Sequence, residues 1–451
     1  MSGGSSGDTS WNPHTPRGKD ADLFTPQQLF GELESLTDVL QYAPFLERAR
    51  AEHERQRDSS ARSALGAYLV FRLLDRLLVG PEARVQEEGF LWQLDAVRRH
   101  LRELPPESPE SAHLHGIIDA IPAGDQPLGT LRLSLMAYAY FLEHEGRLEE
   151  SLQALEAALR TYGGTVPVTD FASSALFAAR INRLLARWTE ATNCYGAAEA
   201  AADVAGDMVL VLRARLGKGA VQRGLGNLPL ARASAEGVIQ AASRADLREV
   251  QAMAWSDLGA ICSIEGKQLE FVQANYRAFL LTDDLLQRMR VLADLGIGLK
   301  ELGALEAARL AFEIVVKSRT SFLVRTNAVL ELMELEAASG NRMAFERRRA
   351  EAEKVRERMP PSMRVDMHHK AGLGLARFGQ VSRGRQLLTE GLELSERHGL
   401  NAWYFRCEKA LASLAEEDTP EPEVATPQEQ DQLPAVRAVA IGLREYAASA
   451  I

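Results

Sequence analysis

Residues 285–317 read LLQRMRVLADLGIGLKELGALEAARLAFEIVVK, and this stretch decides the fold. Apolar residues recur at Leu292, Leu295 and Leu299, the spacing of one helical face. Gly303 follows, where a helix can end on a residue with positive φ. A second apolar face then starts at once, with Ala308, Phe312 and Val315. Two helices joined by so short a turn must lie antiparallel. Gly296, seven residues before the turn, and Ala308, five after it, are small. Small side chains at those offsets let the two helices approach closely where they cross.

The same pattern recurs from residue 132 to residue 417. The turns align at Gly146, Ala186, Gly226, Gly266, Gly303, Gly340 and Gly379, with spacings of 40, 40, 40, 37, 37 and 39 residues. Seven residues before them stand Ala139, Ala179, Gly219, Gly259, Gly296, Met333 and Gly372. Five residues after them stand Ser151, Ala191, Ala231, Phe271, Ala308, Phe345 and Gly384. Met333 and Phe345 make the sixth copy the poorest. Repeats of this length cannot bury their apolar faces alone and stack on one another.

The order of large apolar residue, Leu-Gly, turn glycine, alanine and aromatic resembles the tetratricopeptide repeat. It is carried by Leu295-Gly296, by Trp255, Leu258-Gly259 and Ala278, by Ala178-Ala179, Ala191, Tyr195 and Ala198, and by Tyr138-Ala139, Gly146 and Ala158. The period exceeds the roughly 34 residues usual for that family. Long-period versions are similar to the helical-repeat sensor domains of bacterial transcription regulators. The resemblance implies an all-α, right-handed superhelical solenoid of seven antiparallel hairpins that binds other molecules.

The rest of the chain frames the repeats. Residues 1–24, rich in Gly, Ser, Asp and Pro, are expected to be disordered. Residues 25–122 are expected to form a small helical domain. One helix starts at Thr25-Pro26 and is interrupted by Pro44; a second follows Asp58 and stops at Gly80-Pro81; a third spans 82–104; a short fourth spans 109–121. The solenoid is assigned to 128–417. An acidic, proline-bearing linker follows at 418–434, in a stretch holding seven acids and no base from Glu416 to Asp431. The last segment, 435–451, is an amphipathic helix with Val436, Val439, Ala440, Leu443, Tyr446 and Ala447 on one face. That face requires a cover, either the last repeat or another subunit.

Composition narrows the function. The net charge of −10 argues against a protein that coats nucleic acid. Three scattered cysteines suit a reduced compartment, and the absence of an apolar leader or a long apolar run predicts a cytoplasmic protein. The pairs His113/His115 and His368/His369 lack the spacing of a metal site. Cys262 sits at a packing position. Gly217-Lys218-Gly219 and Gly224-Leu225-Gly226 look like phosphate-binding glycines, but no strand precedes them and the repeat register accounts for Gly219 and Gly226. The run Arg347-Arg348-Arg349 is interleaved with acids and reads as a solvated face. No enzyme, metal or cofactor is expected.

In such a solenoid the first helix of each hairpin lines the concave side. The lining positions of repeats two to five are Ser173, Leu176, Arg180, Arg183; Arg213, Leu216, Ala220, Arg223; Met253, Ser256, Ala260, Ser263; and Arg290, Ala293, Ile297, Lys300. Six of these sixteen are basic and none is acidic, where average composition would place about two of each sign. Arg180, Arg183, Arg213, Arg223, Arg290 and Lys300 are therefore the candidate ligand residues, unless acids on adjacent helices pair with them. The expected function is a scaffold or adaptor holding an acidic protein or peptide segment, for which Glu416–Asp431 of the chain itself is a candidate. The alternative is a regulatory sensor whose superhelix responds to a small molecule or signalling peptide.

Overall fold

The computed structural model describes residues 42–78, 88–106, 108–122, 128–415 and 434–449. Among these residues there is no strand. The chain forms two compact units, one ending at Leu225 and the other starting at Gly226. The division falls in the turn of the third repeat.

The first unit starts with α1 (Ala43–Glu54), α2 (Asp58–Leu78), α3 (Glu88–Arg102) and α4 (Pro109–Asp119). Pro44 lies in the first turn of α1. It opens α1, because the first turn needs no N–H from it. Two hairpins follow, α5 (Gly129–His144) with α6 (Leu148–Arg160) and α7 (Val168–Leu184) with α8 (Trp188–Ala205), and then α9 (Met208–Gly224). The N-terminal helices share one apolar core with these hairpins, through Phe45, Phe71, Leu114, Tyr138 and Leu155.

A buried ionic network crosses the same seam. Arg48 of α1 donates to Glu110 of α4 at 2.8 Å and to Glu150 of α6 at 2.9 Å. Arg147 donates to the same two carboxylates at 2.6 and 2.5 Å, and Tyr138 of α5 donates to Glu110 at 2.8 Å. Burial raises the Glu110 carboxyl, but the two guanidinium groups overcome this and hold it below its usual range.

The second unit holds α10 (Leu228–Arg244), the hairpins α11 (Arg248–Ile264) with α12 (Gln268–Leu281), α13 (Leu285–Glu301) with α14 (Leu305–Lys317), α15 (Phe322–Ala338) with α16 (Arg342–Glu353) and α17 (Pro361–Arg377) with α18 (Val381–Arg397), then α19 (Asn401–Ala415) and α20 (Pro434–Ser449). All seven aligned turn positions have positive φ, including Ala186 at 56°. The small residues meet as their offsets require. Ser151 donates to the carbonyl of Ala139 at 2.8 Å across the first hairpin. A Cβ on Gly296 would lie 2.7 Å from the Phe312 ring, and one on Gly372 would lie 2.9 Å from the Gly384 carbonyl.

The C-terminal helix α20 departs from the expected cap on the last repeat. It packs on α12 and α14, within its own unit, and buries Val436, Val439 and Leu443 there. The first helix expected near residue 25 and the segment Glu416–Asp431 lie outside the described residues. No helix among the described residues is long and apolar enough to cross a membrane.

Candidate functional site

The first helices of the hairpins in the first unit, α5, α7 and α9, present their lining positions in very different states. Ser173 and Arg213 are exposed, while Leu176, Arg180, Arg183, Ala220 and Arg223 are partly buried. Leu216 is in the core, only 4% exposed, so it packs instead of lining the face. The equivalent positions of the first repeat are Leu133, Met136, Tyr140 and Glu143. Leu133 is 71% and Tyr140 44% exposed. Sequence reasoning began with the second repeat and missed this apolar end of the face, although the turn at Gly146 already placed it.

Aromatic contacts connect α5 to α7. Tyr140 lies 4.6 Å from the Phe177 ring, and the Arg180 guanidinium stands over Phe177 at 5.3 Å. One terminal nitrogen of Arg180 donates to Glu143 at 2.5 Å. The Nε–H groups of Arg180 and Arg183 are both buried with no hydrogen-bond acceptor among the described residues. Arg183 and Arg180 are one turn apart on α7, so both donors belong to one helical face. A buried donor left unsatisfied costs about 1–3 kcal/mol, and more when charged.

In the second unit the predicted cations have other surroundings. Arg290 is exposed, with Asp294 one turn along α13. Lys300 is 19% exposed and donates to Glu331 at 2.6 Å and Glu334 at 2.5 Å on α15. Glu331 also accepts from Lys370 of α17 at 2.6 Å, and Lys370 donates to Asp366 at 3.0 Å. Lys300 is therefore paired with two acids of the neighbouring repeat, in a network that Lys370 extends to Asp366 of the repeat beyond.

The remaining sequence candidates have packing roles. His113 stacks 4.8 Å from Phe141, His115 donates to the carbonyl of Ser111 at 2.8 Å, and His369 meets the edge of Trp403 at 6.0 Å. His368 is buried, 3.6 Å from Glu390. Cys262 accepts from Arg232 at 3.3 Å, and burial pushes its thiol above the usual range. Gly217 and Gly224 of α9 make room for Tyr195 and Trp188 of α8: a Cβ at either position would run into the facing ring.

By its fold this is an all-α chain of stacked helical hairpins. No family model matches the sequence, and none of the curated proteins matches it. Loose structural similarity exists to three Rap structures. The apo form of RapI is 7% identical, with a TM-score of 0.42, covering 59% of this chain and 98% of that one. A Rap protein complexed with competence and sporulation factor is 8% identical, with a TM-score of 0.42, covering 79% and 98%. The Rap conjugation gene regulator of plasmid pLS20 in complex with the Phr* peptide is 12% identical, with a TM-score of 0.44, covering 73% and 96%. At these scores the likeness carries neither ligand nor role to this chain.

Proposed function

We propose that the chain is a non-catalytic binding protein that takes an acidic, partly apolar peptide segment of a partner on the α5–α7–α9 face. The observation that supports this reading is the placement of Arg180 and Arg183, both partly exposed, one turn apart on a face that also carries exposed Leu133 and Tyr140. Ligand carboxylates would pair with the guanidinium groups through charge-assisted hydrogen bonds, and the exposed Arg213 on α9 extends the positive potential. Leu133 and Tyr140, 71% and 44% exposed, would receive the apolar side chains.

The test is selection from a displayed peptide library on the full chain, followed by anisotropy titration of the selected peptides. Acidic sequences with interspersed Leu or aromatic residues are expected. Arg180→Ala with Arg183→Ala should weaken binding at least about tenfold, since each lost charge-assisted bond is worth about 1.5–3 kcal/mol. Added salt should weaken it further. Selected peptides that are basic, or affinity that survives the double substitution, would refute the reading.

A further inference from the structure

The placement of α20 has no counterpart in the repeat pattern. The helix follows α19 by 18 residues of sequence, yet it lies on α12 and α14, helices of the fourth and fifth hairpins. Its grip there is apolar. Val436, Val439 and Leu443 are buried, and Tyr446 meets the Phe279 ring edge-on at 5.0 Å. Arg437, Arg444 and Glu445 are all exposed. None of the three forms an ion pair among the described residues. Gly442 seats Tyr276 of α12: any side chain there would collide with the tyrosine hydroxyl. The surface beneath includes Val272, Tyr276, Phe279 and residues of α14, which would form an apolar patch if α20 left.

From this we infer that the α12–α14 surface is a helix-binding site, which the chain fills with its own α20 as a displaceable ligand. The partner it fits is an amphipathic helix with large apolar residues at i, i+3, i+7 and i+10 and a glycine at i+6, the pattern of Val436, Val439, Leu443, Tyr446 and Gly442. Two features favour displacement over permanent packing. The helix adds to no hairpin and completes no repeat. It is held by no ion pair among the described residues; the Arg288 guanidinium lies 5.9 Å over the Tyr446 ring, but the buried contacts are apolar and an equivalent helix can reproduce them. Because α20 belongs to the same chain, its effective concentration at the site is high, so a partner helix must bind more tightly than α20 does or act where α20 has been released. This site lies wholly in the second unit and is independent of the peptide face proposed on α5, α7 and α9.

The test uses the full chain and a fluorescein-labelled synthetic peptide of residues 434–449. Gly442→Leu should eject α20 and leave the hairpins folded, as judged by circular dichroism. That variant should bind the peptide saturably and at least about tenfold more tightly than the wild-type chain, whose own helix competes. Adding Tyr276→Asp should abolish the binding. Amide exchange of wild-type α20 should proceed in one cooperative step, well ahead of α14. Failure of the folded Gly442→Leu chain to bind the peptide would overturn the inference, as would equal binding by wild type. Protection of α20 equal to that of α14 would do the same, and it decides the matter should Gly442→Leu not fold. A concentration-dependent dimer of the wild type that disappears in Gly442→Leu would make a second copy the occupant and refute a partner helix.

Discussion

Gly374 of α17 and Phe345 of α16 share one space: a Cβ on Gly374 would lie 2.6 Å from Cζ of the Phe345 ring. Phe345 stands five residues after its turn, where four other repeats carry Ala or Ser, the fourth carries Phe271 and the seventh Gly384. Gly374 stands five residues before the next turn, where other repeats carry Phe141, Ile181, Val221, Ile261 or Leu335. The fourth and fifth repeats repeat the exchange, with Phe271 against Gly298 and a separation of 2.6 Å from Cδ1. A large residue on one helix is thus matched by a glycine on the following helix, and the shared volume stays filled.

This relationship predicts non-additive stability. Phe345→Ala alone should cost about 3–5 kcal/mol through the cavity it leaves. Gly374→Val alone should cost about 1–3 kcal/mol by overpacking. The double variant restores the arrangement of the other repeats, so its loss should fall short of the sum by about 0.5–3 kcal/mol. Urea melts of the four proteins measure this, and strict additivity would show that the two side chains do not compete for one space.

Backbone contacts should be less forgiving than ring contacts. A Cβ on Gly384 would lie 2.5 Å from the Gly372 carbonyl and 3.1 Å from the Ala376 amide nitrogen. Ala normally improves a helix by about 1 kcal/mol over Gly, yet Gly384→Ala should destabilise by about 1–3 kcal/mol because neither backbone can yield. Gly296→Ala meets only the Phe312 ring and should be better tolerated. Gly259→Leu and Gly296→Leu should both lower the unfolding midpoint. Thermal melts in which Gly384→Ala gains stability would refute the close crossing.

The buried lysine on α17 offers a sharper test. Lys370 and Glu331 are bonded at 2.6 Å with side chains 9% and 7% exposed. Lys370→Met leaves Glu331 with Lys300 alone and Asp366 with no cation, and should cost about 3–5 kcal/mol. Burial raises the Glu331 carboxyl, but Lys370 and Lys300 outweigh it and bring it to about 2. A carboxyl depressed in this way stabilises fully above pH 4.5, and the contribution is lost as pH falls through about 2. Lys370→Met should weaken that acid-side dependence. An unchanged acid titration of stability would place the charge compensation elsewhere.

Asp294 predicts the opposite pH dependence. Burial raises its carboxyl to about 6, against the opposing pull of Arg290. Its favourable contribution is complete below pH 3.8 and is lost as pH rises through about 6. Asp294→Asn should therefore stabilise the protein at pH 7, by up to about 3 kcal/mol, and much less at pH 4. Denaturant melts at the two pH values check this; a gain equal at both would assign the effect to packing.

The hairpins, their seven turns and the small residues at the crossings were legible in the sequence, because turn chemistry and helical period are local properties. Ala186, without a glycine's freedom, still takes φ 56° because the register demands it. The exchange of Phe345 for Gly374 was also written there, but a single repeat read alone shows only a poor match; the compensation lies in the next repeat. Lys300 was predicted as a lining cation from its position on α13, and its position alone could not reveal Glu331 and Glu334 on α15. Charges in different repeats meet only through packing. The amphipathic face of α20 was plain from its spacing, whereas its seat on α12 and α14 depended on which apolar surface the stacked hairpins left uncovered. Local periodicity sets what each segment becomes, and only the packed tertiary structure decides which partners its side chains find.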